Sequence, residues 1–256
     1  MIIRVDTDAA VVEVEEGGGT RRIPFSDPEA FALVSKAWLR TGWEARYSYR
    51  FTWLGRPIIQ LPEDVIRLQE AVMRTRPDVI VETGIAHGGS LVLYASLCEL
   101  LGHGHVVGVD IEIRPANRAA LEEHALSPLI TLVEGSSIAP ATFTQVRDAV
   151  GAAERVLVVL DSDHSREHVL EELRLYGTLV PVGSLIVAAD GSIMRGVVSA
   201  PEAKPDWEWD NPLGAVDDFL AENEGFVRED PAPLFDESRV QGDVTYSAGG
   251  WLRRVR

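Results

Sequence analysis

Three carboxylates and one imidazole stand where apolar runs end. "RVLVVLDSDH" places Asp161, Asp163 and His164 after one such run, and "SLIVAAD" places Asp190 after the next. Short β-branched runs of this kind read as buried parallel strands. Neighbouring strands lie about 4.8 Å apart, so acids at their ends can converge on one ion. Oxygen ligands with room for water suit Mg²⁺ or Ca²⁺ rather than zinc. Such an ion would hold two substrate oxygens and lower the pKa of a hydroxyl, leaving His164 to remove its proton. Asp161 and His164 are therefore the catalytic candidates, and Asp161, Asp190 and Asp163 the metal candidates. Two other roles stay open: Asp163 as a cap of the helix that follows, and His164 as a hydrogen-bonding residue at its start.

A second constellation precedes these acids. "VETGIAHGGS" (81–90) runs from an apolar stretch into a turn holding Gly84, Gly88 and Gly89. Glycines there let backbone approach a ligand closely and expose N–H groups at a helix start. The spacing is not G-x-G-x-x-G, so the dinucleotide fingerprint is absent. "VVGVDIE" ends in Asp110, 26 positions after Gly84, where a carboxylate can accept from both hydroxyls of a ribose. A helix cap is the other use for such an acid. "VEGSS" (133–137) forms a polar turn able to take an adenine. Glu82 beside the glycines can accept from a cationic amino group, which a methionine-derived cofactor carries and nicotinamide lacks. S-adenosylmethionine is thus the expected cofactor, with Glu82, Thr83, Gly84, His87, Gly89, Ser90, Asp110, Ile111, Gly135, Ser136, Ser137 and Asp161 as binding candidates. His87 is open between a substrate contact and a polar loop residue.

The elements that must position these residues follow from the pattern around them. From residue 78 onward, five strand-like runs alternate with helical segments at 116–124, 141–150 and 166–176 and a further helix after Gly89. That order predicts an α/β, doubly wound, mostly parallel sheet with helices on both faces. "LPEDVIRLQEAVMRT" reads as a helix with Val65, Leu68 and Val72 on one face. Upstream, "AVVEVEE" and "TRRIPF" flank "GGG" as a hairpin. Residues 28–60 are rich in aromatics, Trp38, Trp43, Tyr47, Tyr49, Phe51 and Trp53 among them, which either pack a cap onto the sheet or wall a ligand site. The tail from 201 suggests a helix over 214–223 and strand-like ends near "DVTY" and "GWLRR". We expect a hairpin and aromatic cap or oligomerisation segment over 1–60 and a cofactor-binding domain over 61–256.

Composition narrows the partners. A formal charge of -16 argues against a nucleic-acid groove or an anionic membrane surface. No apolar run reaches the roughly 18 residues of a bilayer span. Cys98 is the only cysteine, which excludes an internal disulfide and a cysteine-built zinc site. The start lacks the long apolar core of a signal peptide, so a cytoplasmic protein is expected.

The segments "YSYRFTWLGRPIIQLPED", "VETGIAHGGS", "VVGVDIEIRP", "LVEGSS", "VLDSDH" and "KPDWEWDNP" together resemble the cephalosporin hydroxylase / rhamnosyl O-methyltransferase family over nearly the whole chain. The resemblance implies a class I methyltransferase fold, Rossmann-like and seven-stranded. It implies S-adenosylmethionine, Mg²⁺, a sugar or glycosylated acceptor such as rhamnose in natural-product (antibiotic) or glycan biosynthesis, and a homo-oligomer. Carried over by position, it places Glu82, Gly84, Asp110 and Ser137 on the cofactor and Asp161 and Asp190 on the metal. Ala189 and Gly191 stand where some members have a further acid or amide, so a third ligand would come from Asp163, Asp210 or water. In the more distant catechol methyltransferases a lysine base occupies the position of His164. Two other readings are a nicotinamide-dependent oxidoreductase and a catalytically silent cofactor-binding scaffold. Hydroxylation lacks a redox motif.

Overall fold

The computed structural model describes residues 1–197 and 203–256. It opens with a three-stranded antiparallel sheet of β1 (Ile2–Asp6), β2 (Val11–Glu16) and β3 (Gly19–Pro24). The expected hairpin is β2–β3. Its turn uses Gly17 and Gly18 at φ +60° and +81°, the paired left-handed residues that match strand twist. The unforeseen first strand pairs with β2 from Ile2 opposite Glu15 to Asp6 opposite Val11. Helix α1 (Pro28–Glu44) follows, capped by Asp27, whose Oδ1 accepts from the Glu29 N–H at 2.9 Å. Then come a small hairpin of β4 (Phe51–Trp53) and β5 (Arg56–Ile58) and helix α2 (Pro62–Thr75).

The rest alternates as expected: β6 (Val79–Thr83), α3 (Gly89–Leu101), β7 (His105–Asp110), α4 (Pro115–Glu122), β8 (Ile130–Glu134), α5 (Pro140–Val150), β9 (Val156–Leu160), α6 (Arg166–Tyr176), β10 (Leu185–Ala188), α7 (Gly191–Gly196), α8 (Pro212–Glu222), β11 (Phe226–Arg228) and β12 (Trp251–Arg254). The strands form one seven-stranded sheet in the order β11-β12-β10-β9-β6-β7-β8. Only β12 runs against its neighbours. "DVTY" (243–246) is not a strand. Its polar groups are taken by a side chain instead, the Tyr246 N–H donating to Asp64 Oδ2 at 3.0 Å and the Thr245 hydroxyl to Asp64 Oδ1. The outer antiparallel partner of β12 is β11, which lies outside the predicted strands.

Burial explains the arrangement. β6, β9 and β10 are buried at every position, and alternate side chains enter different cores. Ile80, Leu157, Val159 and Val187 pack with α2 and α3, while Val79, Val81, Val158 and Ile186 pack with α5, α6 and α8. Phe51, Trp53 and Ile58 join the first of these cores, so β4 and β5 pack with the main sheet. The N-terminal sheet has its own small cluster of Val12, Val14, Ile23 and Ala30. Among the described residues, no helix is long and apolar enough to cross a membrane.

β6 pairs with β7 on one side and β9 on the other. The connections leaving the sheet there diverge, and a crevice opens beyond the carboxyl ends of these strands. Every singled-out acid but Asp210 belongs to that end of the sheet.

Candidate active site

The turn after β6 is built against the protein's own chain. At Gly84, with φ +82°, an added Cβ would lie 2.1 Å from the carbonyl oxygen of Asp161. At Gly88 it would strike Leu121, and at Gly89 the carbonyl of Pro57 at 2.2 Å. The glycines therefore answer first to close packing against β9, α4 and β5. Expecting them to serve cofactor approach was incomplete, because contacts between distant segments are invisible in a local pattern. Two side chains clamp the turn from outside: Asn117 Nδ2 donates to the Ala86 carbonyl at 2.9 Å, and Arg56 Nε to that of His87 at 3.2 Å. Neither was singled out in the sequence, and no local signal marks them.

Asp110 braces the same turn. Its Oδ2 accepts from the N–H groups of Ile85 and Ala86 at 3.0 and 3.2 Å, and its Oδ1 from Glu112 N–H at 3.2 Å. Glu82 and Thr83 are fully buried. Both Glu82 oxygens are engaged, one by the Ser90 hydroxyl and one by Tyr94 Oη at 3.0 Å. Burial, with the nearby Asp161 charge adding to it, pushes Glu82 up to about 8. Glu82 thus sits beneath the turn and holds Ser90 in place.

A cavity of about 590 Å³ lies over the strand ends, lined by Gly84, Ala86, Asp110, Ser137, Asp161 and Asp190 among others. Ile111 and Ser136 also border it, and Ile111 is exposed. Gly135 shapes the β8 turn at φ +149°, where a Cβ would meet Thr142 Oγ1 at 2.4 Å. His87 borders a smaller recess with Gly89, Ser90 and Asp161.

At the deep end, Asp161, His164 and Asp190 bring one ligand atom each to within 4.8 Å of one another. His164 Nε2 lies 3.3 Å from Asp161 Oδ1 and 3.7 Å from Asp190 Oδ2. Burial raises Asp190 to about 7, with Asp161 adding to it and His164 opposing. For His164, burial acts downward, but the hydrogen bond to Asp161 and the charges of Asp190 and Asp161 outweigh it and raise the imidazole to about 9. The donor set fits a hard divalent cation: two carboxylates crowd one place, and the imidazole alone faces them there. Asp163 lies apart, exposed, its Oδ1 accepting from the Ser165 N–H at 2.8 Å. Asp210 also lies apart, accepting from the Arg166 N–H at 2.6 Å. Both acids serve the start of α6, and neither belongs to the close group, whose third side chain is His164.

A second cavity, about 220 Å³, opens on the other side of these carboxylates. Asp161, Asp190, Tyr49 and Ile59 line both cavities. Trp43, Trp207 and Tyr246 form an aromatic wall, with Trp43 edge-on to Tyr246 at 5.4 Å and to Trp207 at 6.3 Å. Gln60 Oε1 and the Tyr246 hydroxyl line it as well, both buried and without a hydrogen-bond partner among the described residues. The aromatic stretch divides between its two open roles. Trp43 and Tyr49 face this cavity, whereas Trp38, Tyr47 and Phe51 stack on one another and Trp53 Nε1 donates to Ser96.

Residues 45–255 match the family described as Rhamnosyl O-methyltransferase/CmcI. Over 144 residues, 56% of the chain, the sequence is 30% identical to a rhamnosyl O-methyltransferase of Mycobacterium leprae (strain TN), covering 61% of that protein. The same identity holds with one of Mycobacterium tuberculosis (strain ATCC 25618 / H37Rv), covering 57% of it. The match thus spans about three-fifths of these curated relatives. Among solved structures, cmcI-D160 with Mg and SAM superposes with a TM-score of 0.55 at 18% identity, over 81% of this chain and 78% of that one. The MycE methyltransferase from the mycinamycin biosynthetic pathway, in complex with Mg and SAH, gives 0.50 at 16%, over 95% and 66%. At such identities the likeness shows a shared fold.

Proposed function

The chain belongs to the rhamnosyl O-methyltransferase/CmcI family, and from that premise we propose that it is an S-adenosylmethionine-dependent O-methyltransferase acting on a sugar hydroxyl. One observation carries the reading: Asp161 and Asp190 line two cavities at once. A methyl donor in the larger and an acceptor in the smaller would meet at these acids, which is the alignment a transfer reaction needs.

On the donor side, Gly84, Asp110 and Ser137 take the cofactor, with Asp110 accepting from the ribose while bracing the turn. Glu82 acts through Ser90 and the turn above it. At the junction, Asp161 and Asp190 hold Mg²⁺, which when bound supplies polarisation of the acceptor hydroxyl. His164, whose imidazole the two acids raise to about 9, is free to take the proton at Nε2 once a bound cation offsets their charge. On the acceptor side, the aromatic wall excludes water and offers apolar faces to a sugar ring, while Gln60 and Tyr246 offer hydrogen bonds to its hydroxyls. Besides the two acids assigned to the cation, Glu44 and Asp64 border this cavity against Arg46, its single cationic side chain among the described residues. That balance favours a deoxyhexose such as rhamnose on a neutral glycoside over a nucleotide diphosphate sugar.

The rhamnosyl O-methyltransferase relatives and the mycinamycin-pathway enzyme MycE support glycan or natural-product biosynthesis as the setting. Ile2 and Val5 of β1 and Phe31, Val34 and Trp38 of α1 are exposed, which supports the N-terminal hairpin and cap over 1–60 as the assembly segment of a homo-oligomer. Calorimetric titration with S-adenosylhomocysteine, with and without Mg²⁺ and with NAD as control, tests the core of the proposal. Binding of S-adenosylhomocysteine alone is expected. Failure to bind it, or equal binding of NAD, would sink the reading.

A further inference from the structure

Helix α6 carries a polar stripe that the proposed chemistry leaves unused. His168, Glu172 and Tyr176 are spaced four residues apart and so share one face. All three reach the turns after β8 and β9. Tyr176 Oη donates to the Ser137 carbonyl at 3.0 Å, and Ser162 Oγ donates to Glu172 Oε1 at 2.7 Å. His168 Nε2 lies 3.0 Å from Ser137 Oγ, 3.4 Å from Ser162 Oγ and 3.5 Å from Glu172 Oε1. Glu172 is fully buried.

A ring nitrogen presents either a hydrogen or a lone pair. Facing a carboxylate oxygen, Nε2 is stable only with the hydrogen, since a lone pair there would oppose those of Glu172. Ser137 Oγ is then the acceptor in its contact with His168. Ser162 has already given its hydrogen to Glu172. The hydrogen of Ser137 is left without an acceptor among the described residues, on a side chain that borders the larger cavity together with His168.

We infer that the α6 stripe fixes Ser137 as a hydrogen-bond donor toward that cavity, so that the ligand must present an acceptor nitrogen there, as an adenine ring does. His168 and Glu172 are positioning residues, and Ser137 makes the contact. The inference rests on the larger cavity being the cofactor's.

The test is calorimetric titration with S-adenosylhomocysteine and its 1-deaza, 3-deaza and 7-deaza analogues, each of which replaces one ring nitrogen with C–H. Wild-type protein should bind one analogue about tenfold more weakly than the parent, the size of one lost hydrogen bond. Ser137→Ala should remove that preference. Glu172→Leu should remove it too, because with no carboxylate facing it Nε2 is free to carry a lone pair that draws the Ser137 hydrogen away from the cavity. A merely structural role would weaken all four ligands alike and leave their ratio unchanged. Wild-type indifference to all three analogues, or a ratio that survives in both variants, overturns the inference while the cofactor reading stands. If the wild type fails to bind S-adenosylhomocysteine at all, both fall together.

Discussion

Asp161 has the most crowded duties of any side chain here. It adjoins both cavities, approaches His164 at 3.3 Å and belongs to a strand end whose backbone touches Gly84. Asp161→Asn should abolish metal-stimulated methyl transfer while leaving the fold intact. Equal rates for the variant and for EDTA-treated wild type would be expected, and an unchanged rate in both would end the metal mechanism. His164→Ala should lower the maximal rate by roughly 10²–10⁴-fold with little change in S-adenosylhomocysteine affinity; a loss below about threefold would mark a structural histidine. Glu82 makes a different prediction. Its folded pKa of about 8 lies above the ordinary glutamate value of 4.5, so its contribution to stability is fully present below that lower value and is lost as pH rises through the upper one. The slope is at most about 1.4 kcal/mol per pH unit. Urea unfolding near pH 5 and near pH 8 should therefore show Glu82→Gln gaining on wild type as pH rises. Parallel curves would place the burial cost elsewhere.

The strand-to-helix turns carry the site, and there the sequence was read unevenly. The parallel strands and their helices were legible because a doubly buried strand writes an unbroken apolar run and a crossover helix a 3.6-residue repeat. The convergence of Asp161, His164 and Asp190 was legible for the same reason, since a strand end fixes where an acid points. For Asp163 cap and ligand stayed open in the sequence, because capping and metal binding use the same side chain and only the surrounding geometry separates them. The Arg56 and Asn117 clamp and the α6 stripe were missed because each links segments far apart in the chain. The turn itself can be tested at Gly84. Gly84→Ala puts a side chain at φ +82° and a methyl group into the Asp161 backbone. The conformation costs about 1–2 kcal/mol before any overlap, so denaturant titration should show a loss of at least that size together with weakened S-adenosylhomocysteine binding. Unchanged stability would mean that β9 yields easily.

For the molecule as a whole, the family match begins at residue 45, and the three-stranded sheet before it packs in a cluster of its own. Deleting residues 1–25 should leave S-adenosylhomocysteine binding unchanged and move Tm by less than about 4 °C, the shift of about 1 kcal/mol in a chain of this size. Light scattering on the same protein should report a smaller assembly. A tenfold loss of binding would instead make that sheet part of the catalytic unit. The seven-stranded sheet also has a history in time. β12 lies between β10 and β11, yet Trp251 follows Leu185 by 66 residues. At roughly 5–20 residues per second, the ribosome takes about 3–13 seconds to deliver it. Through that interval the apolar β10 keeps an unpaired edge, the smaller cavity lacks Trp251, which borders it beside Tyr246, and the nascent chain is a natural client for whatever shields exposed strands in the cell.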